Sequence, residues 1–128
     1  MLEERISGLA EPVPTVRLAD SPAHRAAVVA QEDTWLLIDD LDRPVVLVQR
    51  QPRRHDTSHA SARWTVPMRA RENMPVVALV GEALARPAIE RFDPVVCCDA
   101  TGRLIGVVHL ERAVMAALDS SPVRSLTA

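Results

Sequence analysis

Apolar residues fall into four short runs that form two pairs. Residues 34–39 (TWLLID) and 44–49 (PVVLVQ) make the first pair, and residues 94–99 (PVVCCD) and 104–109 (LIGVVH) make the second. Two apolar runs that flank a short polar turn are the pattern of a β-hairpin. The runs are nearly continuous rather than alternating, which indicates strands covered on both faces. The pattern therefore predicts two hairpins with other elements packed over them.

The two hairpins are related by a constant offset along the chain. Asp39 falls on Asp99 and Arg43 falls on Arg103 with no gap between them. A repeat of this length in so short a chain predicts one structural unit written twice.

Each predicted turn carries residues that suit left-handed backbone. In the second copy Asp99 opens the turn, and Gly102 can take a positive φ at low cost. In the first copy the turn is formed by aspartates, at Asp39, Asp40 and Asp42. Aspartate tolerates left-handed geometry and hydrogen-bonds its own backbone. These aspartates lack the glycine and downstream glutamate of a calcium loop, so we interpret them as turn residues.

Helices are predicted just before each hairpin. Ser21 as N-cap and Pro22 in the first helical position predict a helix over 21–32. The counterpart is predicted over 81–91, with an interruption at Pro87, which lacks a donor and crowds the preceding turn.

Short extended segments are expected before these helices, at 16–18 and 76–80. A last helix is expected over 110–118, where apolar residues recur at helical spacing, at Leu110, Val114 and Leu118. Each copy is thus predicted to be a β-α-β-β-α half-unit in an α+β fold. We expect repeat 1 at 12–60, a connector at 61–73 and repeat 2 at 74–120.

This element order, with the motif DPVVCCDATGRLIGVVHLER at 93–112, resembles the cystathionine-β-synthase (CBS) domain. The resemblance covers roughly residues 12–118 and is closer over the second hairpin, since Val46 replaces the glycine corresponding to Gly106. It implies a tandem pair (Bateman module) of two half-units packed with pseudo-twofold symmetry. Such pairs commonly form dimers, and many bind adenine nucleotides between their halves.

The nucleotide-binding part of the family pattern is altered. The resemblance implies a Thr or Ser after the last strand and, three residues later, an Asp that accepts hydrogen bonds from ribose. Here these positions are His109 and Arg112 in one copy, and Gln49 and Pro52 in the other. An arginine only donates, so it suits a phosphate or carboxylate instead. The alternative leaves Arg112 as a solvated residue and His109 as a structural histidine.

Two hypotheses for function follow from the resemblance. In the first, a regulatory module binds a small anionic ligand, with AMP, ATP or S-adenosylmethionine as possible cofactors. Its candidate ligand contacts are Thr15, Val16, Asp93, Pro94, His109 and Arg112. In the second, the module has lost its pocket and is a dimerising scaffold for a partner protein. Only 2% of residues are aromatic, so the core gains less buried area per residue, and a homodimer joined through the last helix is expected.

A third hypothesis is nucleic-acid binding through the arginine-rich stretch 50–71, which holds six arginines and one aspartate. Clustered arginines can bind phosphates, but the stretch lacks the interleaved aromatic residues of a single-strand binder. A solvated connector is the favoured interpretation. The net charge of −2 also indicates no strongly charged partner.

The sequence offers little for catalysis. His55 and His59 have a spacing that could share a metal on a helix, but no third ligand is nearby, so a loop is favoured. The four glycines form no phosphate-binding loop, and no catalytic carboxylate pair or nucleophile triad is recognisable. Cys97 and Cys98 are expected to be free structural thiols. We therefore predict no enzyme activity, no metal and, from the lack of long apolar runs, a cytoplasmic protein without membrane association.

Overall fold

The computed structural model describes residues 4–51 and 61–119, which divide into two compact units. The repeat-1 unit comprises the described parts of 13–67 together with 102–104. The repeat-2 unit comprises the described parts of 1–12, 68–101 and 105–128. Each predicted repeat thus supplies most of one unit.

The repeat-1 unit contains a four-stranded sheet and one helix. The strands follow the order β1-β2-β3-β4 across the sheet, where β1 pairs parallel with β2 and the other neighbours are antiparallel. Their bounds, with those of the helix α1, are β1 Thr15–Arg17, α1 Pro22–Gln31, β2 Thr34–Ile38, β3 Pro44–Gln51 and β4 Ser61–Thr65. Val16, Trp35 and Val48 form one small buried cluster within it.

The predicted start of α1 is confirmed. Ser21 has extended backbone, and its Oγ accepts a hydrogen bond from the His24 N–H at 3.2 Å. Pro22 is the first helical residue, a position where its missing N–H has no intrahelical partner to lose. α1 then connects β1 to β2, the crossover that two parallel neighbouring strands require.

In the described part of the repeat-1 unit, a strand stands where the predicted β-α-β-β-α order has its last helix. After β3, the next element that the structure describes is β4, which pairs with β3 from Leu47↔Thr65 to Gln51↔Ser61. Trp64 supports this strand, because its ring contacts that of Trp35 edge to face with centroids 5.7 Å apart. The expected connector 61–73 therefore includes a strand of the first sheet. His55 and His59 lie outside the described residues.

The repeat-2 unit has the predicted β-α-β-β-α order. Its three strands follow the order β5-β6-β7 across the sheet, with β5 parallel to β6. The bounds are β5 Arg69–Arg71, α2 Val76–Leu84, β6 Val95–Cys98, β7 Leu104–Val108 and α3 Leu110–Asp119, with short 3-10 helices at Ile6–Leu9 and Ala88–Glu90. The last helix is therefore confirmed.

The prediction of an extended segment at 76–80 was wrong, and the helix predicted over 81–91 begins earlier, at Val76, and ends at Leu84. Residues 76–80 are not extended but form the first half of α2, and the strand before this helix is β5. A short apolar run fits either a buried strand or a buried helix, so its pattern is ambiguous. The structure buries Val76, Leu79 and Ala83, which share one helical face. α2 ends before Pro87, which agrees with the predicted interruption, because proline lacks the N–H that continues a helix. A short 3-10 helix follows the proline.

The core of the repeat-2 unit lies between its sheet, its two α-helices and the N-terminal 3-10 helix. All four residues of β6 are buried. The N-terminal segment is tied to the unit by main-chain hydrogen bonds from Ile6 N–H to Met74 O and from Val76 N–H to Glu4 O, both at 3.0 Å. This segment, which precedes both repeats, therefore belongs to the second.

The two hairpin turns are equivalent, as the repeat predicts. The carboxylate of Asp39 accepts from the main-chain N–H two residues later at 2.9 Å, and that of Asp99 does so at 2.8 Å. The residues with positive φ are Asp42, at 62°, and Gly102, at 87°. Both features recur at the same offset as the sequence repeat.

Candidate functional site

Two of the candidates, His109 and Arg112, meet on one carboxylate. Nε2 of His109 lies 3.2 Å from Oε2 of Glu11, and Nη1 of Arg112 donates to Oε1 of Glu11 at 2.6 Å. Each carboxylate oxygen thus faces one nitrogen of a different side chain. The structure thus brings these two candidates together on a third residue, Glu11, which sequence reasoning missed.

Secondary structure brings His109 and Arg112 to the same place. His109 lies between the end of β7 and the start of α3, and its carbonyl accepts from the Ala113 N–H at 3.1 Å. Arg112 follows three residues later, and residues at that spacing are neighbours on a helix surface.

Glu11 reaches this place through main-chain pairing with β7. Its N–H donates to Val107 O at 2.8 Å, and the Val107 N–H donates to Glu11 O at 2.9 Å. Gly106 permits this approach, because a Cβ atom there would lie 2.5 Å from the Glu11 carbonyl oxygen. A glycine inside an apolar strand was the one sequence signal that another backbone comes close.

The Glu11 cluster, defined as Glu11, His109 and Arg112, is partly solvated. The exposed side-chain fractions are 39%, 43% and 50% respectively. Exposed pairs of this kind contribute about 0.2–1 kcal/mol each, so the cluster is weakly held. The His109 contact is an ion pair only when the imidazole is protonated. Chemically, the cluster is a pair of donors that already holds an anionic group.

Asp93 and Pro94 lie at the same end of the β6–β7 hairpin. Both are buried and directly precede β6. Consecutive neighbouring strands joined by a short turn are antiparallel, so the start of β6 and the end of β7 share one sheet edge. The Asp93 carbonyl accepts from Nη2 of Arg86 at 2.9 Å, which fixes the entry to the strand.

Thr15 and Val16 lie on β1 of the repeat-1 unit. They pair with Leu36 and Leu37 of β2. The Val16 side chain is only 3% exposed and packs in the small buried cluster of that unit, so only its main chain could contact a ligand. Thr15 is half-buried at the start of the strand.

Known proteins were compared with the chain by sequence and by structure. The sequence matches no protein-family model and no curated protein. A CBS domain-containing protein of unknown function from Kribbella flavida has a TM-score of 0.61 at 13% identity, covering 93% of this chain and 99% of that chain. The CBS domains of a transcriptional regulator from Streptococcus pneumoniae give 0.60 at 14% identity, covering 88% and 98%.

A third similar structure is a CBS-domain pair from Klebsiella pneumoniae with bound AMP. Its TM-score is 0.60 at 11% identity, and the match covers 89% of this chain and 98% of that chain. The chain has the fold of a CBS-domain pair. Since each match covers nearly the whole of both chains, both repeats of the CBS pair are represented.

The repeat-2 unit has an open cleft beside Arg112. Its volume is about 410 Å³, and it lies between the N-terminal segment and α3. Three carboxylates line it, from Glu4, Glu111 and Asp119. An anionic ligand is therefore poorly suited to the cleft itself, and the side chains that could hold an anion are His109 and Arg112.

Part of the arginine-rich stretch is engaged within the repeat-1 unit. The guanidinium of Arg50 donates to the Val29 carbonyl at the end of α1. Arg53 and Arg54 lie outside the described residues. The nucleic-acid hypothesis therefore remains a prediction.

The remaining candidate chemistry of the CBS pair is structural. Burial raises the pKa of the Cys97 thiol to about 11 and also raises the pKa of Cys98, and both thiols are free. Within 4–51 and 61–119, no group of three His, Cys, Asp or Glu residues could hold a metal ion. Over the same ranges, every helix is too short or too polar to cross a membrane.

Proposed function

We propose that this CBS pair is a non-catalytic regulatory module that binds a small anionic ligand through His109 and Arg112. The observation that carries the proposal is the Glu11 carboxylate held between the two side chains at 3.2 and 2.6 Å. Donors that already hold one carboxylate suit another carboxylate or a phosphate. The bound AMP of the Klebsiella pneumoniae CBS pair supports a phosphate-bearing nucleotide as the first candidate.

The residue types define how such a ligand would be held. Arg112 offers a planar fork of donors that matches the oxygens of a phosphate, but it cannot accept hydrogen bonds from a ribose. We therefore assign His109 and Arg112 to the anionic group of the ligand. Asp93 and Pro94 would contact it from the shared sheet edge, and the roles of Thr15 and Val16 stay predictions from the sequence.

A ligand of this kind regulates by shifting a population. It favours whichever conformation of the module binds it more tightly, and the shift is limited by that difference in affinity. No reaction is required, which fits the lack of a recognisable catalytic set in the sequence.

Thermal-shift screening with AMP, ATP, S-adenosylmethionine and cyclic dinucleotides tests the proposal. A ligand at a hundred times its dissociation constant should stabilise the fold by about 2.7 kcal/mol. Arg112→Gln should abolish the shift, whereas Arg25→Gln, which removes the same charge from α1, should retain it. A shift that survives Arg112→Gln would reject the assigned site.

The second candidate is a homodimeric scaffold, favoured by the exposed side of α3. Leu110 and Ala113 face the core of their unit, while Met115 and Leu118 are 56% and 51% exposed. These two side chains could contact a second copy. Absence of a thermal shift with every probe, together with a dimeric mass in solution, would support this function over ligand sensing.

A further inference from the structure

We propose that Glu11 is an internal competitor that occupies the anion site and lowers its affinity for ligand. This inference rests on the proposed function, since it concerns the regulation of the same two side chains. It adds that the apparent affinity is set by a residue outside both repeats.

The first argument is that a ligand needs the donors that Glu11 now uses. Nε2 of His109 carries one hydrogen at most, so it cannot donate to Glu11 and to a ligand at the same time. Arg112 has five N–H donors, but the Nη1 atom is engaged at 2.6 Å. A ligand that contacts both residues must therefore displace at least the Oε2 contact.

The second argument is that the main chain of Glu11 is fixed beside the site. Its main chain is held by the two hydrogen bonds to Val107 and packs against Gly106 at a distance that excludes a Cβ atom. Displacement is thus a rotation of the side chain, while the backbone stays in place. A tethered carboxylate of this kind competes at a constant high local concentration, whatever the solution contains.

The size of the effect follows from the exposure of the cluster. The two half-exposed pairs hold the Glu11 side chain only weakly, so a ligand displaces it at a small cost in free energy. Removing the competitor should therefore tighten ligand binding about fivefold. That ratio corresponds to about 1 kcal/mol. The competition by Glu11 therefore lowers the affinity of the site for ligand but does not abolish binding.

Isothermal titration calorimetry on the full chain tests this, with AMP, ATP and inorganic pyrophosphate as probes. Glu11→Gln removes the charge but keeps the side-chain length, and its fold can be checked by thermal unfolding without ligand. Glu111→Gln is the matched control, because it removes the same charge from the neighbouring surface of α3 while the Glu11 cluster stays intact. We expect about fivefold tighter binding of an anionic probe by Glu11→Gln than by wild type, and no comparable gain for Glu111→Gln.

The other outcomes separate this inference from the proposed function. Equal gains in both variants would mean a general charge effect and would overturn the competitor role, although a loss of binding in Arg112→Gln would still support the site. Weaker binding by Glu11→Gln would also overturn the competitor role, because Glu11 would then contribute to ligand binding. If no probe binds wild type or either variant, the sensor proposal fails and the competitor role fails with it.

Discussion

Asp39 and Asp99 occupy the same position in the two hairpin turns and use their carboxylates in the same way. Each accepts the main-chain N–H two residues on, but their further partners differ. Asp39 also binds the main-chain N–H and Nε of Arg43, at 2.9 and 2.8 Å, whereas Asp99 binds the hydroxyl of Thr101 at 2.7 Å. The Asp39 turn is therefore stabilised in part by an ionic hydrogen bond from Arg43.

The ionic hydrogen bond from Arg43 predicts that Asp39 contributes to the stability of the fold in a pH-dependent way. The hydrogen bond from the Arg43 main chain, with those from Leu41 and the Arg43 side chain, holds the pKa of Asp39 below its ordinary value. A lowered pKa in the folded state stabilises the fold above the unfolded pKa, and the gain is lost as the pH falls through the folded pKa. We expect Asp39→Asn to melt earlier than wild type at neutral pH and to converge with it in acid.

Thermal unfolding followed by circular dichroism over a pH series measures this effect. Asp40→Asn, a change of the same kind at the adjacent exposed position, is the control and should show a smaller difference. A deficit in Asp39→Asn that is constant across the pH series would contradict the electrostatic explanation.

The adjacent cysteines lead to a second prediction at this scale. Burial raises the pKa of Cys97 to about 11, so its reactive thiolate is scarce at neutral pH. Cys98 is also buried, at 4% exposure, with a raised pKa. A chromogenic disulfide reagent should therefore label neither thiol in the folded protein and both in denaturant. Rapid labelling of two thiols in the native state would show that β6 is not buried as described.

At the scale of elements, β7 is shaped by what approaches it. Its Gly106 lies against the Glu11 backbone, whereas the equivalent β3 carries Val46 and pairs on one side with β4. A glycine weakens a strand because it loses more backbone entropy on folding. Here the missing side chain lets a second chain segment pair with Val107. Repeat 1 has Val46 where repeat 2 has Gly106, and the neighbour of its strand β3 is β4.

Gly106→Ala should consequently destabilise the protein by about 1–3 kcal/mol, as overpacking against fixed backbone does. Gly81→Ala is the matched control, since a Cβ there meets nothing within 4 Å and α2 should gain up to about 1 kcal/mol. Urea unfolding of both variants measures the difference. Equal stabilities would mean that the Glu11 segment is not seated on β7.

At the scale of the whole molecule, few aromatic residues are available to build a core. Large apolar side chains remain exposed on the repeat-2 unit, including Val77 on α2 and Met115 and Leu118 on α3. An association that covers α3 would remove the last two from water, which is favourable in proportion to the apolar area buried.

We therefore predict a homodimer that depends on the outer side of α3. Light scattering at low micromolar concentration should give a dimeric mass for wild type and a monomeric mass for the double variant Met115→Glu and Leu118→Glu. Val77→Glu, at a similarly exposed position on α2, should remain dimeric. A monomeric wild-type protein would reject the prediction outright.

The sequence alone determined those features whose cause is local. The hairpin turns follow from aspartates and a glycine that satisfy their own backbone, and α1 begins where a serine and a proline suit a helix start. The repeat itself required only that one pattern be recognised twice. Together with the resemblance to the CBS domain, the repeat predicted the fold, whereas the roles of His109 and Arg112 as ligand contacts remain predictions.

Only the tertiary structure decided the features that depend on distant partners. Residues 76–84 became a helix because one face of that apolar run is buried, and residues 61–65 became a strand because they pair with β3. Glu11 lies about a hundred residues from Arg112 and shares no motif with it, so no local pattern could place its carboxylate in the anion site. Long-range packing sets such contacts, and these are the contacts on which the proposed function depends.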